Sequence, residues 1–306
     1  MALVHSLWTA PMLNNERGQA SYKQIETTIW CFASSVAYAK RLGEDIHLYA
    51  DYFGRELLHF LPYNKIESLD IPTDFPTDFW AAGKFFALQR MQLGDIHIDG
   101  DVFLKTAKLM DIIHGSLAGS DLIVQSIENS WSYDNEYYIN CVNVIKDNGI
   151  ALPNQLPYVA PAYNCGLVGF NNKDLKEKYL QHYFQSVDII KNHPTALEQI
   201  RSNKETWMDL LIEQQHLFSL SRGYKVCNLL GSGDETYINA RTLGYQHLLG
   251  TDKWEQLHLV QQQLYKRDRE LFYEVVRYIN TTLHDKLQEL HTSTESRVLY
   301  QTTNYL

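Results

Sequence analysis

The first hundred residues alternate short apolar segments with amphipathic ones, and this alternation constrains the fold more than any other feature. Residues 3–9 and 46–50 are short and largely apolar, as in buried strands. Between them, residues 23–42 repeat apolar side chains near every 3.6 residues and lead into Gly43, which predicts a helix with a glycine cap. This strand–helix–strand order favours an α/β fold with a parallel sheet.

The same alternation continues through the middle of the chain. Residues 78–92 are expected to form a helix with Asp78 as its N-cap, and residues 95–98 enter a strand. Further strands are predicted at 65–70, 121–127, 163–170 and 224–229, and further helices at 54–60, 173–190 and 195–220.

The last part of the chain is predicted to be a helical extension. From about residue 254 to 290 it is rich in Gln, Leu, Glu and Lys, with Leu257 and Leu264 at helical spacing. No Gly-, Pro- or Ser-rich linker stands out. We therefore predict a main domain over residues 1–253 and an extension over residues 254–306.

Composition and charge narrow the classes of function. The chain of 306 residues carries a net charge of -9, which argues against a broad nucleic-acid-binding face. Its four cysteines form no CxxC pair, so a zinc ribbon or a dithiol redox site is not expected. The N-terminus lacks the features of a signal peptide, and no window is apolar enough to span a bilayer. We expect a soluble cytoplasmic protein, with peripheral membrane contact left open.

The segment Asp99-Gly100-Asp101 carries the strongest chemical signal. In an extended chain, residues two apart point to the same side, so the two carboxylates can aim at one point. Gly100 lets the backbone turn or a ligand approach closely. Carboxylate oxygens suit Mn²⁺ or Mg²⁺, which could bridge diphosphate oxygens. An ordinary Asp-Gly-Asp turn stays open as the alternative at this point.

Four motifs in the same order resemble glycosyltransferases of the GT-A fold, most closely the retaining family-8 enzymes. Cys165 stands where those enzymes have Ser, Glu213 where they have Asp, and the Pro before Trp254 is missing. The matching segments, which fall between about residues 80 and 254, are Asp99-Gly100-Asp101, Tyr163-Asn164-Cys165-Gly166, Glu213-Gln214 and His247-Leu-Leu-Gly250-Thr-Asp-Lys253-Trp254.

The resemblance implies a Rossmann-like mixed sheet that is mainly parallel and flanked by helices. It also implies roles for individual residues. The metal, Mn²⁺ or Mg²⁺, would be bound by Asp99, Asp101 and His247. The catalytic residues would be Gln214, Glu213 and Asn164. The nucleotide-sugar donor would contact Trp8, Asp51, Lys84, Asp99, Gly100, Tyr163, Gly250 and Lys253.

The implied activity is transfer of a sugar from a nucleotide-sugar donor, expected to be a UDP-sugar, to a glycan or lipid-linked acceptor with retention of configuration. Assembly of surface polysaccharide is the expected context. Two alternatives stay open. One is hydrolysis of a nucleotide sugar or nucleotidyl transfer at the same acidic pair, although the Gly-rich loop that a nucleotidyltransferase needs near its N-terminus is missing. The other is a non-catalytic GT-A-like module that binds sugar.

Overall fold

A large sheet flanked by helices forms the centre of the molecule. The computed structural model describes residues 1–13, 22–128, 136–153, 161–203, 206–248 and 252–288. The strands within these ranges are β1 Leu3–Leu7, β2 Ile46–Ala50, β3 Lys65–Ser68, β4 Ile96–Ile98, β5 Val102–Leu104, β6 Leu122–Glu128, β7 Ala162–Phe170, β8 Val226–Asn228 and β9 Tyr245–His247.

The helices lie on both sides of this sheet and continue beyond it at the C-terminal end. The α-helices of the described ranges are α1 Ala10–Leu13, α2 Tyr22–Arg41, α3 Tyr52–Leu58, α4 Ala82–Arg90, α5 Ala107–Gly119, α6 Glu136–Asp147, α7 Lys173–Lys191, α8 Pro194–Ser202, α9 His216–Leu220, α10 Asp234–Leu243, α11 Asp252–Glu255, α12 Leu257–Arg267 and α13 Arg269–Tyr278. Two further segments, Leu210–Gln215 and Ile279–Leu283, are π-helical.

The large sheet has seven strands in the order β3-β2-β1-β4-β7-β6-β8. β1 pairs in parallel with β2 and β4, β2 pairs in parallel with β3, and β8 pairs in parallel with β6. β7 runs antiparallel to both of its neighbours, β4 and β6. The predicted fold class, a mixed and mainly parallel sheet flanked by helices, is therefore confirmed. β5 and β9 form a separate antiparallel pair.

Helix α2 shows how the apolar pattern becomes a core. Its buried side chains include Ile25, Ile29, Phe32 and Val36, which recur at the spacing of one helical face. Part of this helix packs on the sheet, and α12 and α13 of the C-terminal segment pack against it as well. Among the described residues, no helix combines the length and apolar character that crossing a bilayer requires.

Two sequence predictions about helices are wrong. α4 begins at Ala82 rather than near Asp78, because Asp78 is held by Arg201 at 2.9 Å and the Ala81 N–H is bound instead by the distant Asp209 carboxylate. The helix expected over 195–220 is interrupted after α8 and resumes as a π-helical segment. The sequence analysis also overlooked α5, α10 and β9.

Candidate active site

Asp99 and Asp101 lie at the carboxyl end of β4, in the middle of the large sheet. The Asp99 backbone N–H donates to the Gly166 carbonyl at 2.9 Å, and the Val102 N–H donates to the Asp99 carbonyl at 2.9 Å. The chain then turns into β5, which pairs with β9 so that Val102 lies opposite His247. The small sheet thus carries a histidine from far downstream to the acidic pair.

The side chains of Asp99, Asp101 and His247 form a group that could hold a metal ion. One ligand atom from each lies within 4.8 Å of the other two. His247 Nε2 is 3.4 Å from Asp101 Oδ1. Two carboxylates and an imidazole suit a divalent cation such as Mn²⁺. The three residues proposed as ligands from the sequence are therefore brought together in space.

Hydrogen bonds fix how the His247 ring faces this group. Its Nδ1 lies 2.9 Å from Gln125 Oε1, and the same oxygen accepts a hydrogen bond from the Tyr245 hydroxyl at 2.6 Å. Because that oxygen can only accept, Nδ1 carries the hydrogen, so in the neutral ring Nε2 keeps its lone pair. Nε2 and Asp101 Oδ1 then present lone pairs to one another, an arrangement that a shared cation would stabilise.

Two glycines make room for this arrangement. A Cβ on Gly166 would lie 2.4 Å from both Gln125 Oε1 and His247 Cε1, so only glycine lets the ring and the amide approach. A Cβ on Gly100 would lie 2.1 Å from the Phe32 ring. Close packing on α2 therefore explains Gly100 without any ligand contact.

Two lysines from different parts of the chain offset the negative charge of Asp99 and Asp101. Lys253 Nζ lies 2.5 Å from Asp101 Oδ2, and Lys84 Nζ lies 3.1 Å from Asp99 Oδ1. Burial alone would raise the pKa of Asp101, but the Lys253 ammonium holds it below its ordinary value. The predicted donor contacts Lys84 and Lys253 thus both lie beside the acidic pair.

Lys84 also connects the acidic pair to the predicted catalytic segment. Its Nζ donates to Glu213 Oε1 at 2.6 Å and to the Cys165 carbonyl at 2.9 Å. Burial would lower the pKa of Lys84, but the Asp99 and Glu213 carboxylates raise it above its ordinary value. A fully buried ammonium thus holds two carboxylates from separate parts of the chain.

Glu213 and Gln214 lie in the π-helical segment Leu210–Gln215, and both are buried. Such segments are rare in proteins and are frequently found at functional sites. One Glu213 oxygen, Oε2, is buried and has no hydrogen-bond partner among the described residues. The amide oxygen of Gln214 accepts from the Tyr138 hydroxyl at 2.8 Å. The segment therefore presents polar groups beside Lys84.

Asn164 on β7 is paired with a residue that the sequence analysis missed, Glu128 at the end of β6. The Asn164 amide donates to Glu128 Oε1 at 2.6 Å, and burial raises the pKa of Glu128 to about 7. Gln125, the partner of His247, lies on the same strand. Gln125 and Glu128 are polar residues in an otherwise largely apolar strand, and this pattern could have predicted both as site residues.

The remaining predicted donor contacts have differing environments. Asp51 caps α3 through Gly54 and also accepts from the Thr9 N–H and hydroxyl, so its oxygens already have protein partners. The Tyr163 hydroxyl lies 3.2 Å from Ser221 Oγ. Trp8 is half-buried and makes an edge-to-face contact with a neighbouring phenylalanine. Gly250 lies outside the described residues.

Comparison with known proteins gives a family without an assigned activity. A model described as "Family of unknown function (DUF6734)" matches residues 1–292. The comparison with curated proteins gives no match. Among solved structures, the chain is similar to mouse xyloside xylosyltransferase 1 in its apo form, with 12% identity and a TM-score of 0.31. The similarity covers 79% of this chain and 81% of that one, and at this TM-score it supports no argument about activity.

Proposed function

We infer the activity from the chain's own residues, because the chain belongs to the DUF6734 family of unknown function. We propose that it is a metal-dependent glycosyltransferase that uses a nucleotide-sugar donor. The observation that carries this proposal is the convergence of Asp99, Asp101 and His247 within 4.8 Å at the carboxyl end of β4. Ligands of α/β proteins bind at this edge of the sheet.

The donor set of the group fits a divalent cation. In the proposed reaction the ion, Mn²⁺ or Mg²⁺, would neutralise charge on the diphosphate of the donor. Asp99, Asp101 and His247 would hold it, with Gln125 fixing the imidazole. Asp101 Oδ1 faces His247 Nε2 and would bind the ion, whereas Lys253 holds Asp101 Oδ2 until the diphosphate replaces that contact.

The chain's own residues would then bind and orient the two substrates. Once released from Asp101, Lys253 would be free to pair with the diphosphate, and we assign the same function to the Gly250 backbone. Lys84 would exchange its contact with Asp99, the longest of its three at 3.1 Å, for a hydrogen bond to the donor, while Glu213 keeps the ammonium in place. Asn164 and Gln214 carry amides that can both donate to and accept from sugar hydroxyls. Trp8, Asp51 and Tyr163 are proposed to contact the donor.

Finer features of the activity follow the family-8 resemblance and are proposals of the same kind. They are a UDP-sugar donor, a glycan or lipid-linked acceptor, retention of configuration and a place in polysaccharide assembly. We also propose a cytoplasmic location, since the four cysteines are unpaired in the structure, which suits a reducing compartment. The division into a catalytic domain over 1–253 and an extension over 254–306 stays a prediction.

A donor screen tests the proposed function. UDP-, GDP- and CMP-sugars are added with Mn²⁺, and thermal shift identifies a donor because a ligand stabilises only the folded state that binds it. Turnover of that donor is then measured with and without a mixture of octyl glycosides. Product that requires an octyl glycoside supports transfer, whereas equal donor loss in water alone would favour a hydrolase.

A matched pair of variants connects the activity to the metal group. Asp101→Asn should reduce Mn²⁺-supported turnover by about tenfold or more, because one anionic ligand is lost. Asp111→Asn, on the exposed face of α5, should leave turnover unchanged. Equal activity of the Asp101→Asn variant and the parent, with both folded by circular dichroism, would refute the metal assignment.

A further inference from the structure

Three cationic side chains lie around the ring of Tyr38 and take no part in the arrangement described so far. The guanidinium carbon of Arg267 lies 3.8 Å from the centre of that ring, and Lys105 Nζ lies 5.8 Å from the same centre. Burial and the charge of Arg41 lower the pKa of Arg267, so Arg41 lies close to this guanidinium as well. We call Arg41, Lys105 and Arg267 the basic cluster.

The basic cluster has no acidic partner. None of its three cations forms an ion pair with a carboxylate in the described part of the chain, and Lys105 Nζ donates instead to the neutral amide oxygen of Gln246. Burial and the charge of Arg267 lower the pKa of Lys105. Since the chain has 36 acidic residues and 27 basic ones, a shortage of carboxylates does not explain this. The positive charge of the cluster is therefore left uncompensated.

Helix dipoles account for two of these cations but not for the third. Arg41 and Arg267 lie in the last turns of α2 and α12, where a cation is favoured. Lys105 immediately precedes Thr106, the N-cap of α5, and a cation is disfavoured at that end of a helix. The first turn of α5 contains no acidic residue. An anion beside Lys105 would therefore be favoured both by the ammonium and by the dipole of α5.

Tyr38 holds the Arg267 guanidinium in place without using its hydrogen-bonding edge. A guanidinium that lies over an aromatic ring keeps the N–H groups of its planar fork for an anion. The ring is itself anchored, because its hydroxyl donates to Gln263 Oε1 at 3.2 Å and its face stacks on Phe103 with 5.9 Å between ring centres. Arg267 Nε is buried and has no hydrogen-bond partner among the described residues. An aromatic contact thus takes the place of an acidic partner.

The basic cluster is separate from the candidate metal group. Lys105 lies four residues after Asp101, with the strand β5 between them. At about 3.3 Å per extended residue this separation is about 13 Å along the chain. Arg41 is exposed and Lys105 and Arg267 are half-buried, so all three are open to solvent. An anion bound here is therefore distinct from the diphosphate assigned to Lys253.

We propose that Arg41, Lys105 and Arg267 form a binding site for a phosphoryl group. Phosphate oxygens match both the planar fork of an arginine and the point charge of a lysine. The negative charge of the phosphoryl group would offset the repulsion among the three cations. The inference does not rest on the proposed function. The phosphoryl group can belong to a soluble phosphate compound or to the headgroup of an anionic lipid, and the experiment separates these two sources.

Calorimetric titration of the full chain with inorganic phosphate tests the site. EDTA excludes metal ions, and chloride keeps the ionic strength constant, because salt screens charge. Lys105→Gln/Arg267→Gln should weaken phosphate binding by about tenfold or more, since two charge-assisted hydrogen bonds are lost. Arg267→Lys keeps the charge but loses the planar fork, so its affinity should lie between those of the parent and the double variant.

Sedimentation with lipid vesicles identifies the source of the phosphoryl group. Vesicles of phosphatidylcholine alone are compared with vesicles that also contain phosphatidic acid. Sedimentation only with phosphatidic acid, lost in Lys105→Gln/Arg267→Gln, would support the site and assign it to a lipid headgroup. Phosphate binding that the same double variant loses, without sedimentation of the parent, would support the site and assign it to a soluble compound.

The control is Lys173→Gln/Arg90→Gln, which removes the same two charges from ion pairs with Glu177 and Asp70. It should bind phosphate and vesicles like the parent. Thermal unfolding confirms that each variant is folded, and Lys105→Gln alone provides the same test if the double variant of the site does not fold.

Three results would overturn the inference. The parent could bind neither phosphate nor phosphatidic acid. Lys105→Gln/Arg267→Gln could bind both probes as well as the parent does, which would place any bound phosphate elsewhere, for instance at Lys253. The control could lose as much binding as the double variant of the site, which would mean that net charge rather than the basic cluster attracts the anion.

Discussion

At the scale of single residues, the lack of a side chain on Gly166 is as important to the site as the ligands themselves. His247 approaches the acidic pair because Gly166 leaves the space that its ring and Gln125 share. Gln125 in turn fixes the tautomer that leaves Nε2 available. Partners of this kind typically change metal affinity by about 10- to 100-fold when they are removed.

Gly166→Ala should therefore weaken Mn²⁺ binding by about tenfold or more, because the new methyl group displaces His247 or Gln125. Calorimetric titration with Mn²⁺ measures the change. The control is Gly115→Ala on α5, where a Cβ would meet no described atom within 4 Å beyond the backbone of its own helix. Since alanine favours a helix over glycine by up to about 1 kcal/mol, the control should stabilise the fold and leave Mn²⁺ affinity unchanged. Unchanged affinity in Gly166→Ala would contradict the proposed ligand role of His247.

Lys84 illustrates the cost of breaking a buried charge cluster. Lys84→Met leaves Asp99 and Glu213 without their shared cation, so the free energy of unfolding should fall by about 3–5 kcal/mol. Adding Glu213→Gln removes one of the two carboxylates and should recover part of the loss. Urea unfolding measures both variants. Lys65→Met, at an exposed pair with Glu67, should change stability by less than about 1 kcal/mol. If Lys84→Met and Lys65→Met lower the free energy of unfolding by similar amounts, the buried cluster does not stabilise the fold more than an exposed ion pair does.

At the scale of elements, the π-helical segment Leu210–Gln215 is held against α4, the helix whose Lys84 contacts Asp99. Asp209, the residue before the segment, accepts from the Ala81 N–H at the start of α4, and Glu213 within the segment pairs with Lys84 on α4. The Tyr179 hydroxyl donates to the Glu213 carbonyl at 3.2 Å, which adds an anchor from α7. The position of the segment therefore depends on buried polar contacts with two other helices.

The Asp209 carboxyl makes this connection sensitive to pH. Burial raises its pKa to about 8, well above the usual range of an aspartate, so the folded chain holds a proton that the unfolded chain releases. The contribution of protonated Asp209 to the free energy of unfolding is therefore fully present below about pH 4. It is lost as pH rises toward about 8. Asp209→Asn should make the free energy of unfolding fall less steeply with pH. The difference should be clearest between about pH 7 and 8, because the titration of Glu128, with a pKa of about 7, no longer changes stability there.

Urea unfolding of the parent and of Asp209→Asn at several pH values across this window gives, for each, the slope of the free energy of unfolding against pH. A single group can contribute at most about 1.4 kcal/mol per pH unit. Asp74→Asn serves as the control, since that carboxyl is exposed and pairs with Lys191. Parallel curves for the parent and Asp209→Asn would contradict the raised pKa.

At the scale of the whole molecule, the C-terminal helices share the core of the sheet domain. Val260, Leu264, Leu271 and Val275 are buried in one cluster with side chains of α2. Helix α2 in turn packs on β5, the strand that follows the acidic pair. The extension therefore supports, through α2, the strand that follows the acidic pair, although it lies far from Asp99 in sequence.

A chain that ends at residue 253 should accordingly lose cooperative unfolding, because the apolar face of α2 would be open to water. Thermal unfolding and dye binding to exposed apolar surface compare it with the full chain. A chain that ends at residue 288 retains all described helices and should unfold like the parent. Cooperative unfolding of the shorter chain at an unchanged temperature would favour an independent domain over 1–253.

Local pattern predicted more of the fold than of the site. Apolar periodicity predicted α2, α7 and most strands, since each buries one regular face. It failed at the start of α4, where Asp209 from a distant segment replaces the expected Asp78 cap. It also missed β9, a strand of three residues that is too short to show a period.

The sequence by itself determined the α/β class, because burial of apolar faces follows from the order of residues, and it identified Asp99 and Asp101 as an adjacent acidic pair. Only the tertiary structure decided which distant groups meet them. His247 arrives through pairing of β5 with β9, and Lys84 through packing of α4. Such contacts depend on how strands and helices pack in three dimensions, which no local pattern records.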